Sequence, residues 1–424
     1  MRFYIPILLL IFISCRKKEN AEPQISITSP VSGQVFIPGD TIKIEAEISD
    51  NNVLASVTLK LLNAAYTPVD HQESFSINAS SYHLSYDYVI ENIYLETGNY
   101  FITLSTTDGD NDQNEFRSII IQGIPKTRKA VYVLTQTDTA HIEVNKLDSA
   151  NQLVHQFDIF GDYSGSAISS RYNILNAAGK ITGAINQFDL ISNSLLFSEP
   201  AYNVTLASFH NLFFTNELTF VSYYDGRINA FNKDGHVQFS SVQPVYYLPG
   251  ALCANDKYVI AEAYYPGAGE NRLVVINYPS GVVKQEYNAG LDIASMISKE
   301  DDELIIFGNK NSDGKIYQYH VLSNGINDFH TLFGNTIFSA IAIDNDQYAI
   351  ATANGLYSYQ ESNNNLIPVD LSEPAYSLEY DEVNGILFVN AGRKIKEYAF
   401  PDAAVLNTVI IGDSLLDIRI QYNK

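Results

Sequence analysis

The sequence predicts an all-β chain in which a β-sandwich precedes a ring of seven four-stranded repeats. Three observations predict it. A short unit returns along the last two-thirds of the chain at a nearly constant interval. Some hundred residues ahead of it alternate apolar and polar side chains without any helical period. The composition, with Tyr 29 and Phe 22 against Met 2 and Trp 0, suits pleated, half-buried surfaces.

The repeating unit is plainest in Gly226–Phe231, Gly183–Phe188 and Gly314–Tyr319, where an apolar residue after a glycine turn is followed three positions later by an aromatic one. Val275 with Tyr278, Leu356 with Tyr359, Ile395 with Tyr398 and Val144 with Leu147 are looser copies. The seven anchors 144, 185, 228, 275, 316, 356 and 395 are spaced by 41, 43, 47, 41, 40 and 39 residues. A period of roughly 40 to 45 residues built of short strands is that of a propeller blade, four antiparallel strands to each repeat. Ahead of Ala130–Leu134 the first copy has no room for an innermost strand, and after the last copy one strand, Leu415–Tyr422, is left over. The two fragments complete each other, so the sequence predicts seven blades closed by the C-terminal strand, with Leu416, Ile418, Ile420 and Tyr422 on one face of it. Closure removes the exposed edges that a sheet must otherwise protect.

Length and charge narrow the function classes. At 424 residues the chain exceeds a single core. A formal net charge of -22 argues against nucleic acid as a partner, because phosphate binding is driven by clustered Lys and Arg. Two cysteines, Cys15 and Cys253, allow no disulfide framework, and Cys253 in its apolar setting reads as a small buried hydrophobe.

In chain order, residues 1–14 carry Arg2 and then the apolar run Ile5–Ile13, which is too short to span a bilayer and reads as a secretory signal. The junction Phe12-Ile-Ser-Cys15 resembles the lipobox of bacterial lipoproteins, with Phe12 in place of the usual leucine. The resemblance implies acylation of Cys15 and, with Arg16 following it, delivery to the outer membrane. Several acyl chains anchor stably where one is marginal. Residues 15–23 then form a polar, breaker-ended tether.

Residues 24–122 form the sandwich. Thr41–Ile48 alternates strictly and places Ile42, Ile44, Ala46 and Ile48 on one face, and Val57, Leu59 and Leu61 repeat the pattern. Gly98-Asn-Tyr100 followed by Ile102 and Leu104 resembles the tyrosine-bearing late strand of immunoglobulin-like and fibronectin-type sandwiches, which implies a fold and no activity. Asp108–Glu115 invites calcium, but Gln113 stands where an EF-hand loop needs glycine, and a solvated hairpin turn suits it as well. Residues 123–129 are a linker and 130–424 the repeat region. That region resembles the YVTN and quinoprotein-like propellers. It does not resemble the WD type, since the chain has no tryptophan, and the same absence argues against a quinone cofactor.

No catalytic, phosphate-binding or metal-binding motif is present, and the eight histidines never fall at ligand spacing, so neither a cofactor nor a metal is expected. The informative feature is the set of turns joining second and third strands, which share one end of a propeller with the blade-to-blade connections. Tyr264–Arg272 stretches one spacing to 47, Gly308–Gly314 follows it and Tyr223–Arg227 precedes it. Tyrosines beside arginine are the residue types of binding hot spots. The predicted rim is therefore Tyr223, Tyr224, Tyr264, Tyr265, Glu270, Arg272, Asn309 and Lys310. Together these readings make the chain a lipid-anchored outer-membrane protein that binds an envelope protein or glycan without catalysis. The alternative is a propeller enzyme acting on glycan or peptide at the same place.

Overall fold

A computed structural model describes residues 21–138, 140–202, 207–241, 248–265, 267–300 and 302–424. Every regular element among them is a strand, and the chain divides between Pro125 and Lys126 into two compact units. Cys15 and the signal segment lie outside the described residues.

The first unit holds β1 (Gln24–Ser29), β2 (Gln34–Phe36), β3 (Thr41–Leu62), β4 (Pro68–Val89), β5 (Gly98–Thr107) and β6 (Asp112–Ile121). They pair in the order β1-β3-β5-β6-β2, with β4 on the other edge of β3. The 22-residue β3 joins the two sides, for its first half pairs with β1 and its second half with β5. Ile42, Ile44, Ala46 and Ile48 from the first half and Val57, Leu59 and Leu61 from the second share one buried core with Ile102, Leu104, Ile119 and Ile121. Tyr100 donates its hydroxyl hydrogen to the carbonyl of Glu96 at 2.9 Å. A tyrosine reaching back to backbone a few residues upstream is the corner typical of immunoglobulin-like sandwiches. Asp108–Asn111 turns between β5 and β6, and the Asp108 carboxylate accepts the N–H groups of Asp110 and Asn111 at 2.8 and 2.6 Å.

The described residues of the second unit form seven four-stranded sheets. Sheet 1 gathers the last strand, Ser414–Tyr422, with Arg128–Asp138, His141–Leu147 and Leu153–Phe160. Sheets 2 to 7 follow in sequence over 165–199, 209–240, 248–288, 292–332, 337–370 and 377–410. Each is antiparallel and meandering. The anchors 144, 185, 228, 275, 316, 356 and 395 each fall on the third strand of a sheet, where both faces are covered by neighbours. The first strand of each sheet touches the first strand of the next, and Ser414–Tyr422 touches both Gly165–Ser169 and Ser377–Asp381. The last strand departs from simple alternation. A bulge between Leu415 and Asp417 puts Leu415, in place of Leu416, beside Ile418 and Ile420 in the core shared with Val131, Val133 and Phe388, while Leu416 packs into the opposite cluster with Tyr132 and Leu134.

Candidate functional site

Because each sheet runs up and down, the turns between second and third strands lie at the same end as the sheet-to-sheet connections. All eight rim residues lie at this connection end, on three successive sheets. Their side chains do not share one role. Tyr223, the last residue of its strand, is fully buried. Its hydroxyl donates to Glu199 at 3.0 Å and its ring meets Phe209 edge-on at 5.2 Å, so it presents no surface to a ligand. Tyr224 beside it is exposed. Asn309 is likewise buried, and its amide closes a pair of hydrogen bonds with the N–H and C=O of Ile337 on the next sheet, at 2.8 and 2.9 Å. It is an inter-sheet clamp, and so is Asn390, which donates to the carbonyl of Leu415 at 3.0 Å.

The longest hairpin brings four of the others together. Tyr264 is exposed and Tyr265 half-buried. The Arg272 guanidinium lies 5.8 Å from the Tyr265 ring and is held between Glu286 at 2.9 Å and Glu270 at 3.2 Å. Such fixed, planar donors and acceptors suit orientation of a polar ligand. Lys310 is exposed on the neighbouring hairpin, opposite Asp313.

The sequence reading missed most of the exposed aromatic surface. Among the described residues of the second unit, the exposed phenylalanine and tyrosine side chains are Phe160, Tyr202, Tyr224, Tyr264, Phe333, Phe338 and Tyr376. All seven lie at the connection end, about one to a sheet, in turns, connections or the strand ends that adjoin them. Among the described residues, the large apolar side chains exposed at the opposite end are aliphatic, such as Ile191, Val282, Leu322 and Val383. The one signal in the sequence is an aromatic residue set beside a breaker, as in Phe160-Gly161, Phe333-Gly334 and Pro374-Ala-Tyr376. Phe338 and Tyr376 stack at 5.5 Å and 17° across the seam between sheets 6 and 7, and the Tyr376 ring lies over Gly392, where an added Cβ would stand 3.4 Å from it.

Two carboxyl sites are set into the seams. At the first, Glu379 of sheet 7 and Asp417 of the last strand flank Arg419, with Nη1 to Glu379 at 3.0 Å and Nη2 to Asp417 at 2.6 Å. The Arg419 Nε donates to the carbonyl of Ser166 on sheet 2 at 2.8 Å, and the hydroxyls of Ser166 and Tyr163 donate to Asp417. Burial pushes the Glu379 carboxyl up, against the pull of Arg419. The set bridges three sheets and its charges are spent on one another.

At the second, Glu262 clamps sheet 4 to sheet 5, accepting from Ile293 N at 3.1 Å, Asn271 Nδ2 at 2.9 Å and Ala251 N at 3.4 Å. Gly250 makes room for it, since a Cβ there would stand 2.5 Å from Oε2. Burial pushes the carboxyl up to about 7, against the N–H groups that favour its charge. A carboxyl tuned to that range is a catalytic candidate on its value alone, but both oxygens face protein donors. The folded state therefore holds a proton that the unfolded chain releases near 4.5, and stability falls as pH rises from 4.5 through 7. The loss is about 3 kcal/mol at full deprotonation. Glu262→Gln is expected to remove this fall. Urea unfolding at acidic and alkaline pH measures it, and equal pH dependence in variant and wild type would refute the assignment.

In the first unit the structure assembles Asp70, His71 and Glu91, with ligand atoms within 4.8 Å of one another, from residues whose spacing gave no sign of it. The Asp70 oxygens already accept the N–H groups of His71, Glu91 and Asn92 and face His71 Nδ1 at 3.1 Å, so the donors are used within the protein. Cys253 is buried and its thiol is pushed up to about 12, which leaves it inert.

Residues 23–108 match a family described as a bacterial Ig domain. No curated protein matches the chain. Among solved structures it is similar to the computationally designed Ika8 protein, at 13% identity and a TM-score of 0.51, over 71% of this chain and 93% of that one. It is also similar to the β-propeller domain of Myceliophteria thermophila Cps50 (Swd1), at 11% identity and a TM-score of 0.47, over 63% and 96%. The third is the WD40 domain of Neurospora crassa Pan2, at 12% and 0.48, over 62% and 79%. At such identities a likeness concerns the fold and carries no activity.

Proposed function

We propose that the chain is a cell-envelope lipoprotein, acylated on Cys15 and held at the outer membrane, in which an Ig-like domain carries a closed seven-bladed propeller that binds an envelope partner without catalysis. Support for the propeller comes from the seven four-stranded sheets, the succession of touching first strands and the pairing of Ser414–Tyr422 with Arg128–Asp138. Support for the anchor is the Phe12–Cys15 junction and the polar tether after it. The observation that carries the binding role is the gathering of all seven exposed aromatic side chains of the second unit, among the described residues, at the connection end. Scattered exposed apolar groups are ordinary, whereas rings confined to one end mark a surface meant to be covered. The non-catalytic reading rests on the acidic groups at the seams, which are engaged with protein donors.

The test is capture from intact envelopes with the tagged full chain. Tyr224→Ala combined with Tyr264→Ala is expected to weaken capture about thirtyfold, the scale of a hot-spot loss, with an unchanged melting temperature. Leu322→Ala at the opposite end should leave capture intact. The reverse pattern would place binding at the wrong end. Mass spectrometry of the mature amino terminus checks the anchor, and an unmodified residue other than Cys15 would exclude it.

A further inference from the structure

The ligand class follows from how charge is arranged around the exposed rings. A polyanion is disfavoured by the net charge of -22. A polycation would need unpaired carboxylates beside the rings, and several of those at the connection end are engaged with cations of the same chain. Glu373 is paired with Lys394 at 2.8 Å and Lys396 at 2.7 Å, Asp370 with Lys396 at 2.8 Å, Glu270 and Glu286 with Arg272, and Asp225 with Arg227 at 2.7 Å. A folded protein with a broad apolar face would call for one contiguous patch, whereas the rings are distributed about one to a sheet. Around Phe338 and Tyr376 what remains is flat aromatic surface bordered by paired, rigidly held donors and acceptors, whereas Asp162 beside Phe160 and Glu199 beside Tyr202 are held by N–H and hydroxyl donors. An uncharged polyhydroxyl chain complements it: each sugar ring has an apolar C–H face that covers an aromatic ring, and hydroxyls that bond to paired carboxylates and guanidinium groups.

We propose that the connection end binds a neutral polysaccharide, with the Phe338–Tyr376 pair as its principal stacking platform. This rests on the connection end being the binding end. The pair is the best-built element of that surface. The rings hold each other at 5.5 Å while remaining 40% and 46% exposed, and the backbone of Tyr376 is fixed by its N–H bond to the carbonyl of Asn390 at 2.8 Å. Little ordering is left to the moment of binding, which favours affinity. The Lys394–Glu373 pair, two residues past Gly392 on one side and three residues before Tyr376 on the other, supplies the bordering polar groups. Rings spaced around the end let one long chain engage several sheets at once, so affinity rises with chain length.

The experiment is calorimetric titration of the full chain with linear, uncharged oligosaccharides of glucose, mannose, galactose and xylose, each in a short and a long form. One series is expected to bind, more tightly in its long form, with an affinity unmoved by raising salt several-fold, since no ion pair is formed. Phe338→Ala and Tyr376→Ala should each weaken it about tenfold or more at an unchanged melting temperature. Absence of binding across the panel, binding that collapses with salt, or full affinity in the double variant would each overturn the proposal. Capture of an envelope protein through Tyr224 and Tyr264, with no oligosaccharide bound, would end the polysaccharide assignment and leave the binding role standing.

Discussion

Removing Leu415–Lys424 is expected to leave the second unit unfolded or aggregated. Among the described residues, the strand Ser414–Tyr422 is what pairs with Arg128–Asp138 on one edge, from Ser414 opposite Gln136 to Tyr422 opposite Arg128. Its Leu415, Ile418 and Ile420 are 5%, 2% and 4% exposed and complete a core whose other members come from sheets 1 and 7. Burying three such side chains is worth about 5 to 9 kcal/mol as an upper estimate. That approaches the net stability of a typical domain, about 5 to 15 kcal/mol. The deletion also strips Arg128–Asp138 of its partner, and an unpaired apolar strand edge templates association between chains. Size-exclusion chromatography and far-ultraviolet circular dichroism report the outcome. The first unit is an internal control, because its core is built from its own six strands. A truncated chain that stays monomeric and melts like the intact one would show that the last strand does not hold the ring closed.

The repeat was legible because the third strand of each sheet is covered on both faces, so it carries a buried apolar anchor whatever its loops do, and in most sheets a ring three residues on. Ile316 and Tyr319 are both fully buried, as are Ile395 and Tyr398 almost entirely. The alternation of Ile42 to Ile48 was legible for the related reason that one face of that strand meets the core. The length of β3 was not. Thr41–Ile48 and Val57–Leu61 read as two separate alternating patterns, yet one strand runs through both with register shifts between Ser49 and Leu54 and between Leu54 and Ser56, because β4 pairs with it on both sides of the irregularity. The exposed aromatic surface at the connection end was half legible. Long, tyrosine-bearing hairpins announce themselves, but whether Tyr223 or Tyr224 points outward depends on which residue closes the strand. Single rings in connections, such as Phe333 or Tyr376, have no periodicity to betray them. Asn309 looked like a loop donor because a short polar side chain in a turn and one clamping the next sheet look the same until the neighbouring strand is in place.

Arg419→Met is expected to destabilise the second unit by about 3 kcal/mol, the low end of the cost of unpairing a buried ion, since the Arg419 and Glu379 side chains remain 23% and 21% exposed. Methionine fills much of the volume, so the loss is electrostatic: Glu379 and Asp417 remain beside each other with the cation gone. Arg419 also bonds the carbonyls of Ser166 and Ile418, at 2.8 and 3.1 Å, and these lose a donor. The Ile420 N–H to Glu379 and the Ser166 hydroxyl to Asp417, at 3.2 and 2.9 Å, cannot replace a full positive charge. The defect should depend on pH in a fixed direction. Burial already pushes the Glu379 carboxyl up, and without Arg419 it rises further, so the folded variant binds protons that the unfolded chain releases. Stability of the variant therefore falls as pH rises and recovers on acidification. Adding Glu379→Gln and Asp417→Asn should restore part of what Arg419→Met removes, since a neutral set costs less to bury than two unpaired carboxylates. Urea unfolding of the wild type, the single variant and the triple variant at two pH values separates these expectations. A single variant within about 1 kcal/mol of wild type, or a triple variant no better than the single one, would mean that the seam between sheets 7, 1 and 2 is held by its apolar contacts alone.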